Sequence, residues 1–485
     1  MTGVVSWLQD TTGGLLLLAA AGIALLLVLI VRLKLEPFIA LLIVGMLTAL
    51  AAGVPVAELT GSAQNPGDSL LESGFAGILG HVAAIIGLGT ILGAMLESSG
   101  GAQVLTRRLL RLLGEHRAPL AMGLAGLLFG IPVFFDVGIF VLAPLVYVAA
   151  EQGRRSILLY CLPLLAGLSV THAFLPPHPG PVAAAGLLQV ELAWVIVMGA
   201  ACAIPAWYVG GVLFSSWIGR RIHVAVPEEM LAAAQLARDK VRPGGTAGDG
   251  DDTGEPGGSG DAEPALGLVL FIIAIPLVLI LAGTFGSIVL PETSVAAGVA
   301  GFVGTPAIAL TVAVLLAFWL LGSRRGMTRE QIAEIAAVAL RPVAMILLVV
   351  GAGAFYGTVL KATGIGTALA ESLADAGLPV IFAAYVISCG LRIAQGSATA
   401  AIAATAGIIG PTAAEVGMSQ PQLALVVAAI CAGSIIASHV NDGGFWIVSR
   451  YFGLTVKDTL KTWTVLETIL SVVGFAVAAI LITVV

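Results

Sequence analysis

Apolar residues run through this chain in long unbroken blocks. Gly14–Val31, Phe38–Val54 and Ile78–Met95 come first, and Leu266–Leu281, Ala307–Leu321, Ala337–Leu360 and Val465–Val485 follow in the second half. Each block is near the length a helix needs to cross a bilayer, about 20 residues. A membrane barrel strand would alternate polar with apolar residues, and these blocks do not. The pattern therefore predicts helical spans. Basic residues orient them, because short loops rich in Lys and Arg stay on the cytoplasmic side. Arg32 and Lys34, Arg107 to Arg117, Arg154 and Arg155, Arg220 and Arg221, Arg324 to Arg329, and Arg450 to Lys461 are read as inside. Residues 53–77 and 285–304 hold no Lys or Arg and are read as outside, with both termini.

Four stretches break the pattern. From Ala118 to Ala150 the chain is too short to cross twice, yet basic residues flank it on both sides. A hairpin entering from the cytoplasm fits, with its turn near Pro132 to Gly138 and one carboxylate, Asp136, at the tip. Ile157–Leu188 is interrupted by T-H-A-F-L-P-P-H-P-G-P, Thr171 to Pro181. Proline lacks an N–H and clashes with the preceding turn, so no helix continues through it. After the span Leu192–Ile218 the order repeats. Pro379–Ile409 is a second hairpin with the tip L-R-I-A-Q-G-S-A-T-A, and Leu423–Tyr451 is a second broken span with the interruption S-H-V-N-D-G-G-F. Non-helical backbone at membrane depth persists only in protein or beside a watery cavity. These four places are therefore the candidate site.

Composition sharpens the class. Of 485 residues, 59% are hydrophobic and 10% charged, with a mean hydropathy of +1.06. Soluble domains carry about 25% charge. The net charge of −6 says little, because much of it sits in the Gly- and Asp-rich stretch before residue 264. That stretch, 222–263, has nothing to bury and reads as a flexible cytoplasmic linker. It divides the chain into a first transmembrane repeat, 1–221, and a second, 264–485. Cys161, Cys202, Cys389 and Cys431 fall in apolar runs without metal-ligand spacing and read as reduced core residues. No phosphate loop, H-E-x-x-H or Ser-His-Asp signature is present, so neither an enzyme nor a nucleotide-driven pump is indicated, and no cofactor or metal is implied.

An internal repeat supports the division. G-L-G-T-I-L-G-A-M-L-E-S-S-G from Gly87 and G-A-G-A-F-Y-G-T-V-L-K-A-T-G from Gly351 share one pattern, 264 positions apart. Each copy precedes a hairpin and then a broken span. An odd number of crossings per half requires the second copy to be inverted. The expected fold is an all-α polytopic membrane protein of two inverted repeats. Each repeat has three spans, a re-entrant hairpin, a broken span and a final span, as in secondary transporters.

The first of these glycine motifs, with G-I-P-V-F-F-D-V-G, H-A-F-L-P-P-H-P-G-P, Q-G-S-A-T-A and S-H-V-N-D-G-G-F-W, resembles the gluconate permease family over nearly the whole chain. The long acidic linker is a departure, away from every motif. The resemblance implies an ion-transporter type of fold and proton symport of gluconate or a related small hydroxy- or amino-acid anion. It also implies a multi-pass protein of the bacterial plasma membrane, with a small carboxylate, protons and the bilayer as its partners. Oligomeric state stays open. Sodium coupling, a passive channel or uniporter, and an intramembrane enzyme are the competing readings.

Ionisable and polar residues in the four breaks are the candidates. For substrate binding they are Phe135, Asp136, Thr171, His172, His178, Arg392, Gln395, Gly396, Ser397, Thr399, Ser438 and Asn441. For proton coupling they are Asp136, His172, His439 and Asp442. Intramembrane carboxylates and histidines are functional by default, and His titrates near neutral pH. The plain structural alternatives are a helix cap for Asp136, capping of freed carbonyls for the histidines, turn formation for Asp442, and an ion pair with Asp442 for Arg392. Glu97 is read as a span end facing water.

Overall fold

The structure, a computed structural model, describes residues 2–61, 69–114, 117–226, 264–291, 294–341, 343–439 and 442–485. Among them the regular elements are all helices. Ten of the described helices are long and apolar enough to cross a membrane. Polar caps fix where several begin. Thr11 accepts from the Gly14 N–H at 3.1 Å to start Thr12–Val31, and Ser69 accepts from Glu72 at 3.0 Å to start Leu70–Ser98. Each cap satisfies a donor that the helix leaves free.

Several boundaries differ from those expected. The third span begins at Leu70 rather than Ile78, because Ser69 caps it there. Residues 285–304 are largely helical, as the end of Leu266–Val289 and then Val295–Gly304. Lack of Lys and Arg marked them only as outside the cytoplasm. Their apolar side chains Val295, Val299 and Phe302 are exposed, as lipid-facing positions are. The run read as Ala337–Leu360 is divided beside Arg341 into Arg329–Leu340 and Val343–Ala362. A capping box of Thr328 and Gln331 starts the first of these.

Both hairpins and both broken helices are present. The first hairpin has arms Ala118–Gly130 and Phe135–Gly153, and the second has arms Val380–Gln395 and Ala398–Val416. A 13-residue arm rises about 20 Å, short of the roughly 30 Å hydrocarbon core. The broken helices are Leu158–Phe174 with Pro179–Leu187, and Gln420–Gly433 with Gly443–Tyr451. Each is followed by a helix containing a π-helical stretch, Tyr208–Phe214 and Leu460–Thr464 respectively. The equivalent order of elements in the two halves matches the sequence repeat.

The repeated glycines have a direct physical role. A Cβ at Gly93 would sit 2.2 Å from the Pro132 carbonyl oxygen at the first hairpin tip. A Cβ at Gly357 would sit 2.7 Å from the Gly407 carbonyl oxygen in the second hairpin. In each half the motif helix thus presses its backbone against the hairpin of that half, and any larger side chain would hold the two apart.

The halves pack across one another. Pro179–Leu187 lies against Ala398–Val416, and Leu192–Trp207 lies against the last helix, Val465–Leu481. The first residues assigned to the linker are anchored: Ile157 N–H donates to the Val224 carbonyl at 3.1 Å, and the Ser156 hydroxyl donates to that of Ile222 at 2.9 Å. The rest of the linker, 227–263, lies outside the described residues.

Candidate functional site

The first hairpin tip, residues 131–134, faces the first helix break. His178 Nε2 lies 2.5 Å from the Gly130 carbonyl oxygen, the end of the first arm. A carbonyl only accepts, so Nε2 carries the proton of that bond. His178 therefore satisfies a freed helix terminus, the structural role anticipated as the alternative for it. The His172 ring lies 4.6 Å from that of His178, and Phe134 packs on both, at 5.8 and 5.9 Å. His172 Nδ1 is buried with no hydrogen-bond partner among the described residues. Thr171 spends its hydroxyl on the Gly167 carbonyl at 2.8 Å, one turn back in its own helix.

The second tip and second break form a charged knot. Arg392 donates to Asp442 Oδ2 at 2.5 Å and also to the carbonyl of Gly396. Gly396 closes the arm at φ +79°, a left-handed conformation open to glycine. Asp442 accepts from Ser438 as well and from the Gly444 N–H at 2.9 Å, capping Gly443–Tyr451. Trp463 Nε1 donates to Ser438 Oγ at 2.8 Å, and Thr464 donates to the Ser438 carbonyl. Arg392 is thus paired with Asp442 rather than held open for a ligand, although its Nε has no partner among the described residues. Ser397 caps Ala398–Val416 by accepting from Ala400 at 3.4 Å, and Thr399 is half-buried in the next turn. His439 Nδ1 contacts the Ala437 carbonyl at 2.9 Å, a local turn bond. Asn441 and the side chain of Gln395 lie outside the described residues.

The two centres meet through the first hairpin. Phe135 stacks on Trp463 with ring centroids 5.4 Å apart. Asp136, next to it, repels Asp442 electrostatically. Asp136 is not the cap of Phe135–Gly153, since Phe134 holds that position; it sits in the first turn, where the helix dipole favours a negative charge. Its side chain is exposed rather than enclosed.

Two features escaped sequence reading. Glu467 is 2% exposed, and its Oε2 accepts from Ser169 at 3.1 Å, joining the last helix to the first broken helix. It falls near the start of the run read as Val465–Val485. The helix runs back through the π-helical stretch to Val456, so Glu467 lies well inside it. The second feature is a cavity of about 610 Å³ beside the first tip, with Val133 and Phe134 at one end and Glu97, Ser98, Gln331 and Glu334 along its wall. Glu97 therefore lines a recess that reaches the tip.

Paired helical hairpins, paired interrupted helices and a buried charged cluster where they meet form the architecture of a multi-pass membrane transporter. The chain belongs to the GntP permease family: the profile of the GntP family permease matches residues 14–485. It is 42% identical to the inner membrane permease YgbN of Escherichia coli K12, over 96% of this chain and 97% of that one. It is 36% identical to the gluconate permease of Pseudomonas aeruginosa, over 95% and 96%. Its fold is similar to that of the Alcanivorax borkumensis YdaH transporter, with a TM-score of 0.59, 15% identity, and coverage of 93% and 99%.

Proposed function

We propose that the protein imports gluconate or a closely related sugar-acid anion across the bacterial plasma membrane by proton symport, with alternating access. The name of the Pseudomonas relative supports the substrate class. The observation that carries the mechanism is the charge balance of the central cluster. One guanidinium, Arg392, is paired with Asp442, and Asp136 and Glu467 are two further carboxyls on the elements packed around that pair. With every carboxyl ionised, that cluster repels an anion. Each proton bound there removes one repulsive charge, so anion binding and proton binding favour each other, which is the linkage a symporter needs. In this reading the half-helix termini at the tips supply N–H groups and positive dipole ends to the substrate, and the cavity beside Phe134 is the route to the cytoplasm.

The candidate residues divide accordingly. From the second half the anion is met by Ser397, Thr399 and the Nε of Arg392, whose other two nitrogens are held by Asp442 and Gly396. From the first half it is met by Phe135 and His172, with Thr171 and His178 holding the backbone around them. Asp136 and Asp442 carry the charge that protons neutralise. Uptake of labelled gluconate, glycerate, a ketosugar acid and D-serine by the reconstituted protein tests the substrate class. Gluconate or another sugar acid should be taken up fastest. Transport of D-serine alone would contradict the reading.

A further inference from the structure

We propose that Glu467 is a proton-binding residue of the transport cycle, taking and releasing its proton at Oε1 as the anion enters and leaves. This deepens the proton-coupled reading and rests on it.

Four observations carry the assignment. Glu467 is buried in the last helix, 2% exposed. Its two oxygens are in different states: Oε2 accepts from Ser169, while Oε1 is buried with no partner among the described residues. A carboxylate fixed only for packing would have both oxygens satisfied, since an unmet buried acceptor is costly. A neutral carboxyl would bear its hydrogen on the free oxygen, so Oε1 is where the proton resides. Third, Glu467 is tied to the charged knot: Trp463, four residues before it in the same helix, donates to Ser438, which donates to Asp442. Fourth, its partner Ser169 belongs to the first broken helix, so the pair spans the contact between the halves. Relative movement of the halves during alternating access would alter that contact and the proton's environment together.

The surrounding elements carry other ionisable groups. Tyr385, on the second hairpin, bonds Ser471 at 3.0 Å. Cys202 and Cys431, on the helices packed against the last one, are free buried thiols. His172 and His178, further along Ser169's own helix and past its break, contact each other and Phe134. Asp136 lies at an exposed position in the first turn of Phe135–Gly153. Glu467 is the enclosed counterpart that keeps a proton through the step in which the site is closed.

Two measurements on the full chain test this. In the first, gluconate is added to purified protein in weakly buffered detergent solution with a pH indicator. Wild type should take up protons, and Glu467→Gln about one fewer per chain. In the second, reconstituted Glu467→Gln should retain exchange of labelled gluconate but lose accumulation driven by a pH gradient. Because Gln can impair folding at a buried position, Glu467→Asp is measured alongside. It should accumulate gluconate with a displaced pH profile. Proton uptake by Glu467→Gln equal to wild type, with either variant accumulating gluconate at an unchanged pH profile, would overturn the assignment. Absence of gradient-driven accumulation in wild type would instead overturn the symport reading beneath it.

Discussion

Phe135 stacks on Trp463 at 5.4 Å, so the first hairpin tip rests on the helix that also anchors Ser438 and the second break. The tips are not independent. A change in the tilt of the first hairpin reaches Asp442 through one ring and one hydrogen-bonded serine.

The Arg392–Asp442 pair gives a stability prediction with a sign. Breaking a buried pair from one side leaves an uncompensated charge and costs about 3–5 kcal/mol, whereas replacing both partners is often neutral. Arg392→Met and Asp442→Leu should each lower thermal stability in detergent, and the double variant should recover much of the loss. All three should fail to transport. A double variant no more stable than the singles would show that the pair contributes little.

Gly93 carries no chemistry but sets the distance to the tip. Gly93→Ala places a Cβ against the Pro132 carbonyl and should cost about 1–3 kcal/mol as overpacking. Gly77→Ala, with open space around it on the same helix, is the control and should be silent. Uptake normalised to membrane abundance reads both.

How far the sequence alone reached is visible in these residues. Proline and glycine announce where a helix stops, so both hairpins and both breaks were legible. Asp136, His172, Arg392 and Asp442 were legible as charges in apolar surroundings. Of their partners, only the Arg392–Asp442 pair was read, as an alternative to ligand binding. Whether Arg392 reaches Asp442 across 50 positions depends on how two breaks are brought together, which no local pattern encodes. Glu467 was hidden by a misplaced span start, and the role of Gly93 by the absence of a side chain. Asp136 was legible as the carboxylate of the tip, but its place in the first turn of Phe135–Gly153, rather than at the cap, was not.

The linker is predicted to be dispensable and cytoplasmic. Deleting Gly244 to Gly260 should leave uptake near wild type, because that composition contributes reach and little else. Cysteine placed by Gly258→Cys should resist labelling by an impermeant reagent added to intact cells. Ready labelling would invalidate the cytoplasmic placement of the linker and the orientation of both halves read from the basic loops.

Asp136→Asn mimics the protonated carboxyl permanently. It should abolish accumulation driven by protons while sparing counterflow exchange of labelled substrate. Undiminished accumulation with an unchanged pH profile would reduce Asp136 to a helix-dipole partner and transfer the coupling to Glu467, His172 and Asp442.

The central claim is that an anion and a proton share this site. The most direct measurement is uptake of labelled gluconate into proteoliposomes whose interior is more alkaline than the medium, without sodium. The account predicts accumulation above the external concentration and its collapse when a protonophore is added. Uptake that only equilibrates, or that accumulates solely on addition of a sodium gradient, would contradict it.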